Sequence, residues 1–253
     1  MKQRLLTNLV GLLAGALGLA GCAVYMPMQC AAPAVHGRGQ AELTGSFYLN
    51  RRLEFGANYS PLRHLVVRAA GGGLGDKADS SYYRGSQYEV ALGTYWPLGR
   101  RVLAGALGGF GQAHGEARYK DGGFLLTRPT QYQLDARYNK LFGEAYGTVR
   151  LGAAVSLGLA YRLTRVQFTH LTDLGKPVSV GHMLRSEPMF FVRGAFGSSP
   201  SGERPVYVQF GMGASQALNR PWGRQDPGPE AQVLQPRTYF TFGLGLNTLF
   251  RNP

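Results

Sequence analysis

Glu42, Glu54, Arg68, Glu89, Glu116, Arg118, Asp135, Arg137, Glu144, Arg162 and Arg193 stand singly among small or apolar residues rather than in charged runs, and both signs occur. Carboxylates and guanidiniums so placed can pair as a hydrogen-bonded ion network or line a polar conduit. An unpaired charge in a narrow, poorly hydrated space is costly, so the network is the first expectation. His114 and Glu116 lie two apart, and serines are available for acyl-transfer chemistry. That chemistry needs a His within hydrogen-bond reach of both nucleophile and orienting acid. Nothing in the sequence fixes a serine beside His114, and no G-x-S-x-G elbow occurs. His36, His64, His170 and His182 show no metal-ligand spacing. Gly71-Gly72-Gly73 and Gly108-Gly109 are followed by no Lys-Ser/Thr and no helix, so they are not phosphate loops. No catalytic residue, metal or cofactor is expected, and the chain reads as a non-enzyme.

The elements that position these charges follow from a period of two. In the last stretch, Phe240, Phe242, Leu244, Leu246, Thr248 and Phe250 share one face, with Tyr239, Thr241, Gly243, Gly245 and Asn247 on the other. Such a strand is long enough to cross a bilayer when tilted. In lipid every backbone group needs a partner, which only a closed barrel gives to strands. The same alternation begins near residue 40 with Leu43, Phe47 and Leu49 opposite Glu42, Thr44 and Ser46, and it recurs to the end. Within it the charges named above fall on the faces assigned inward. Parity flips near Asn139-Lys140, where a bulge is expected.

The count is about ten strands, with eight and twelve as the neighbouring even numbers. The fold expected is all-β: a single antiparallel up-and-down transmembrane β-barrel. Connections alternate short and long from the second strand on, as in barrels with short periplasmic turns and longer outside loops. The sparse charge (16 %), the 37 Gly and the 13 Phe and 14 Tyr suit tightly curved sheets with small side chains inside. A narrow bore of this size is largely filled by side chains.

Lys2 and Arg4 followed by the apolar stretch Leu5 to Leu19 have the layout of a cleaved export signal. Leu19-Ala20-Gly21-Cys22 then resembles the lipobox of bacterial lipoproteins, in which the Cys sulfur carries the lipid. The organisation expected is a lipoprotein signal peptide at 1–21, a lipidated tether at 22–38 and a barrel at 39–250. A Cys22–Cys30 disulfide would compete with acylation, so Cys30 is read as an inert apolar residue. With an even strand count, Cys22 and Phe250 are both expected at the periplasmic side. The lipobox, the short tether with Val24-Tyr25-Met26-Pro27 and the aromatic-ended closing strand together resemble outer-membrane β-barrel lipoproteins of Bacteroidetes-type bacteria. That resemblance implies the bacterial outer membrane as location and the barrel-assembly machinery as a partner in biogenesis. It carries no activity over. Arg251-Asn252-Pro253 depart from its pattern of a terminal aromatic.

The net charge of +13 carries no nucleic-acid-binding signature with it. Much of the excess falls in turns and loops assigned outside: Arg51, Arg52, Lys77, Arg84, Lys120, Arg128, Lys176, Arg185, Arg220, Arg224 and Arg237. Lipopolysaccharide phosphates are the anions such arginines would meet. The function expected is structural or interactive within the envelope. A narrow porin-like channel is the alternative, and a lipid-modifying enzyme the second alternative.

Overall fold

The computed structural model describes residues 24–77, 81–121, 129–197, 204–219 and 228–249. Eleven strands occur among them: β1 (Gln40–Tyr48), β2 (Leu53–Tyr59), β3 (Leu65–Lys77), β4 (Tyr82–Leu98), β5 (Val102–Asp121), β6 (Thr130–Arg150), β7 (Val155–Asp173), β8 (Lys176–Pro177), β9 (His182–Phe196), β10 (Val206–Ala217) and β11 (Arg237–Leu249). A short helix, α1 (Pro229–Leu234), precedes the last strand. Each strand pairs antiparallel with its sequence neighbours, β8 being a two-residue spur on β7. β1 pairs with β11 from Gln40↔Leu249 to Tyr48↔Thr241, and β6 with β7, so ten strands close into one barrel with no free edge.

The outside explains the closure. Every barrel strand contributes an exposed large apolar side chain, among them Leu43, Phe55, Val67, Leu92, Phe110, Leu141, Leu159, Phe190, Phe210 and Leu244. Phe55 and Leu159 are each 65 % exposed, a degree no water-facing monomer sustains around its whole circumference. Tyr59, Trp96 and Phe196 mark the end of this girdle at one rim, where aromatics favour a membrane interface. That rim carries the turns at 60–64, 99–101 and 151–154 and is called the short-turn rim. The opposite one, with the connections at 122–129, 174–181 and 218–236, is the long-loop rim.

Two strand-level expectations are corrected. β6 keeps one parity from Tyr132 to Thr148, all even residues facing in, and does not flip at Asn139-Lys140. The extra residue lies on the neighbouring strand. Arg137 pairs with His170 and Tyr138 with Phe168, leaving Thr169 as a bulge in β7. The misreading has a physical cause. β5 and β6, at 20 and 21 residues, are about twice the 9–11 residues that a tilted strand needs to cross hydrocarbon. Beyond the girdle their outward face meets a polar surrounding and their inward face becomes a core. Polarity inverts there while parity does not.

The core of that upper part comprises Ala113, Ala117, Tyr119, Tyr132, Leu134, Ala136, Tyr138, Val166, Leu171 and Met183, with Val24, Tyr25 and Val233 of α1 packed among them. Tyr119 donates its hydroxyl to Gln232 of α1 at 3.1 Å, fixing the helix over this end. Toward the short-turn rim a second cluster packs Ala32 and Val35 against Val66, Tyr95, Leu103 and Tyr146.

Candidate functional site

Residues 24–36 run inside the bore from the short-turn rim up to the level of Gly115 in β5. The segment was expected as a tether, and the structure places it inside the barrel: Val24, Tyr25, Met26, Met28, Cys30, Ala32 and Val35 are all buried. Gly39, where it joins β1, donates its N–H to the Ser60 carbonyl at the short-turn rim. From there the extended chain meets a bore side chain at nearly every peptide. Ala34 N–H donates to Glu42 (3.1 Å), Ala32 N–H to Glu144 (3.2 Å), Gln29 N–H to Glu54 (3.1 Å) and Met26 N–H to the Tyr138 hydroxyl (3.2 Å). Its carbonyls are taken by guanidiniums: Arg193 donates to Ala32 O at 2.7 Å and Arg52 to Pro27 O at 2.6 Å. Tyr25 closes the series by donating to Glu187 at 2.8 Å. An extended segment makes no hydrogen bonds of its own, and a buried one needs all of them supplied. In the ion network of the bore, carboxylates supply them at the N–H groups of Gln29, Ala32 and Ala34, and guanidiniums at the carbonyls of Pro27 and Ala32.

That network is internally paired. Arg162 bridges two carboxylates, with Nη2 to Glu144 at 2.7 Å and Nη1 to Glu89 at 3.0 Å, and Lys140 adds an ion pair to Glu89. Glu42 also accepts from Asn58 Nδ2 at 2.7 Å and from the Tyr207 hydroxyl, and Arg68 donates to Asn58 at 3.3 Å. Glu54 takes Arg52 at 2.9 Å and the Tyr48 hydroxyl at 2.7 Å. Arg193 donates to Gln209 at 2.6 Å. One void left beside Cys30, Glu54 and Arg193 measures about 20 Å³, room for about one water.

Glu42, Glu54, Arg68, Glu89, Glu144, Arg162 and Arg193 thus sit buried in the bore. Glu116, Arg118, Asp135 and Arg137 do not. They lie on the outward face of β5 and β6, beyond the girdle, because the inner positions at that level hold the apolar upper core. Sequence reasoning missed four bore charges. Arg52 and Arg185 were assigned to outer loops and are buried, Arg185 donating to Ser215 Oγ at 2.7 Å. Lys140 fell at the misplaced parity flip, and Glu187 was not among the charges assigned inward. Arg51, Arg84, Lys120 and Lys176 are exposed as expected of loop and rim positions. The assignments at Lys77, Arg128, Arg220, Arg224, Phe250 and Cys22 lie outside the residues or side chains described.

Val24, the described residue nearest Cys22, packs toward the long-loop rim, whereas the last described residue of β11, Leu249, pairs with Gln40 at the other.

The outward band beyond the girdle holds a second cluster. His114 Nε2 lies 3.2 Å from Asp135 Oδ1 and 3.6 Å from Glu116 Oε1, and His170 Nε2 3.9 Å from Asp135 Oδ2. Glu116 and Asp135 are cross-strand partners, a like-charge pair that an imidazolium or a bound cation between them would relieve. The donor atoms of His114, Glu116 and Asp135 all lie within 4.8 Å of one another, close enough to share a divalent ion. Backbone register also sets Ser86 opposite His114, so hydroxyl, imidazole and carboxylate stand on three adjacent strands.

The architecture and the exterior define a class: closed up-and-down barrels with a lipid-facing girdle and a filled bore. No family model and no curated protein matches the sequence. Among solved structures the chain is similar to the translocator domain of the autotransporter NalP from Neisseria meningitidis, with 10 % identity and a TM-score of 0.46 over 83 % of this chain and 86 % of that one. It is also similar to the outer membrane protease OmpT from Escherichia coli, with 10 % identity and a TM-score of 0.40 over 84 % and 94 % of the two chains. The N-terminal β-barrel domain of Pseudomonas aeruginosa OprF is matched at 7 % identity and a TM-score of 0.34, over 84 % and 99 %.

Proposed function

We propose that this chain is a bacterial outer-membrane β-barrel lipoprotein with a structural or interaction role in the envelope, its bore closed by its own amino-terminal segment. The observation that carries the reading is the seating of Val24 to Val35 in the bore, with carboxylates on its N–H groups and guanidiniums on its carbonyls. A solute conduit needs a continuous water column, and here polypeptide and paired charges occupy the axis. The apolar girdle supports a bilayer setting, and rims of unequal connection length favour short turns inside the periplasm and long loops outside. Acylation at Cys22 belongs to this reading. So does contact of lipopolysaccharide phosphates with the exposed Arg51 and Arg84, whose guanidinium forks can grip them bidentately, and with Lys120 and Lys176, which meet them as point charges.

Planar-bilayer conductance tests the central point. The full mature chain should be electrically silent, and a variant lacking residues 24–36 should show discrete openings. Steady conduction by the full chain would favour the narrow-channel reading instead.

A second reading, hydrolysis of lipid acyl esters, draws support from the Ser86, His114 and Asp135 register. His114 Nε2 faces Asp135, which leaves Nδ1 for the serine hydroxyl. Labelling by a fluorophosphonate probe, lost on Ser86→Ala, would favour it, and absence of labelling would remove it.

A further inference from the structure

We propose that the mature amino terminus is delivered through the bore to the long-loop face, so that the lipid expected on Cys22 enters the leaflet on that side. This rests on the outer-membrane reading above and makes that leaflet the outer one.

The direction of the thread is written in its contacts. Gly39 is tied to Ser60 and Val35 packs on Val66 and Tyr95 at the short-turn rim. Gln29 lies midway on Glu54, and Pro27 has reached Arg52, in the turn at the tip of the β1–β2 hairpin. Val24 is three residues further on, against Gly115 of β5 and among the upper core residues Ala117 and Tyr138. From Val24, on the long-loop side, a chain turning back to the short-turn rim would need a second path through a bore that polypeptide and paired charges already fill. The β1–β2 hairpin is the lowest part of the long-loop rim: β2 has 7 residues where β5 has 20. At its tip Leu49 and Leu53 are exposed apolar residues, marking a place where an acyl chain meets hydrocarbon beside the bore.

Full-length protein in intact cells, with Cys30→Ala as background, tests the claim with a membrane-impermeant maleimide. Ala23→Cys is compared with Lys176→Cys at the long-loop rim and Arg101→Cys at the short-turn rim. Ala23→Cys should label to the same extent as Lys176→Cys without permeabilisation, and labelling only with Arg101→Cys would overturn the inference. Should Lys176→Cys and Arg101→Cys label alike, the outer-membrane reading itself fails. Threading is read separately. The amides of Gln29, Ala32 and Ala34, which donate to Glu54, Glu144 and Glu42 along the threaded path, should exchange as slowly as the strand amides in the folded full chain. Fast exchange at these three amides in a barrel that still shows heat-modifiable migration would overturn the threaded path.

Discussion

The carbonyl oxygen of Val24 lies over Gly115, so close that a Cβ added to the glycine would sit 2.6 Å from it. Gly85 pairs with Gly115 across β4 and β5, and the thioether end of the Met26 side chain lies on Gly85. Two facing glycines therefore make the shelf on which the end of the threaded segment rests. Gly115→Ala should lift it: the atom met is backbone and cannot rotate away. We expect a cost of about 1–3 kcal/mol, as for other overpacked sites. Amide hydrogen exchange at Met26 and Gln29 would rise while the strand amides stay protected. Unchanged protection at those two amides would mean that the shelf does not hold the segment.

Arg162 should be the most damaging single charge to remove. It is buried and holds Glu89 and Glu144 together, so Arg162→Met leaves two buried carboxylates short of a partner. Breaking such a pair costs about 3–5 kcal/mol. Arg118→Met, on the exposed outward face, should stay within about 0.5 kcal/mol. Thermal unfolding of the detergent-folded protein measures both. Comparable losses would contradict the different placement of the two arginines.

The barrel was legible because lipid and bore impose opposite polarity on alternate residues, and that pattern prints directly into sequences such as Phe240-Thr241-Phe242-Gly243-Leu244. The upper part was not, because there the rule reverses: Tyr132, Leu134, Ala136 and Tyr138 look lipid-facing by polarity yet form an internal core. Only the length of β5 and β6 hinted that they outrun the membrane. The threaded segment was illegible for another reason. Its burial depends on backbone groups meeting Glu42, Glu54 and Glu144, and an extended chain with two prolines has no period to betray it. Its composition gave one sign, Val24-Tyr25-Met26 being too apolar for a solvated linker.

The girdle and the outward polar band differ in what they tolerate. Leu159→Arg puts a charge among exposed apolar residues of β7, where lipid-facing arginine costs about 2–4 kcal/mol near the midplane. Gln167→Arg, on the same strand and the same outward face but beyond the girdle, should be close to neutral. Folding yield into phospholipid vesicles compares the two. Equal yields would deny that hydrocarbon surrounds the middle of the barrel and not its upper part.

Register gives the last test, because a strand with period two has few places that absorb a lost residue. In β7 the even residues from Gly158 to Phe168 face the bore, and Leu171 faces it again after Thr169 and His170 both point out. Deleting Thr169 removes the bulge but leaves Phe168 and Leu171 inward and His170 outward. The loss is one hydrogen bond, from Thr169 Oγ1 to the Arg137 carbonyl at 3.1 Å, together with the local twist that a bulge adds. That amounts to about 1 kcal/mol. Deleting Leu163 is a different event. Thr164 and Val166 would turn to the outside, Arg165 and Gln167 would point into a filled bore, and Glu187 would lose the Thr164 hydroxyl that now donates to it at 2.7 Å. Heat-modifiable migration should therefore persist for the Thr169 deletion and vanish for the Leu163 deletion. If both variants fold, or neither does, the ladder between β6 and β7 is not pinned by the bulge at Thr169.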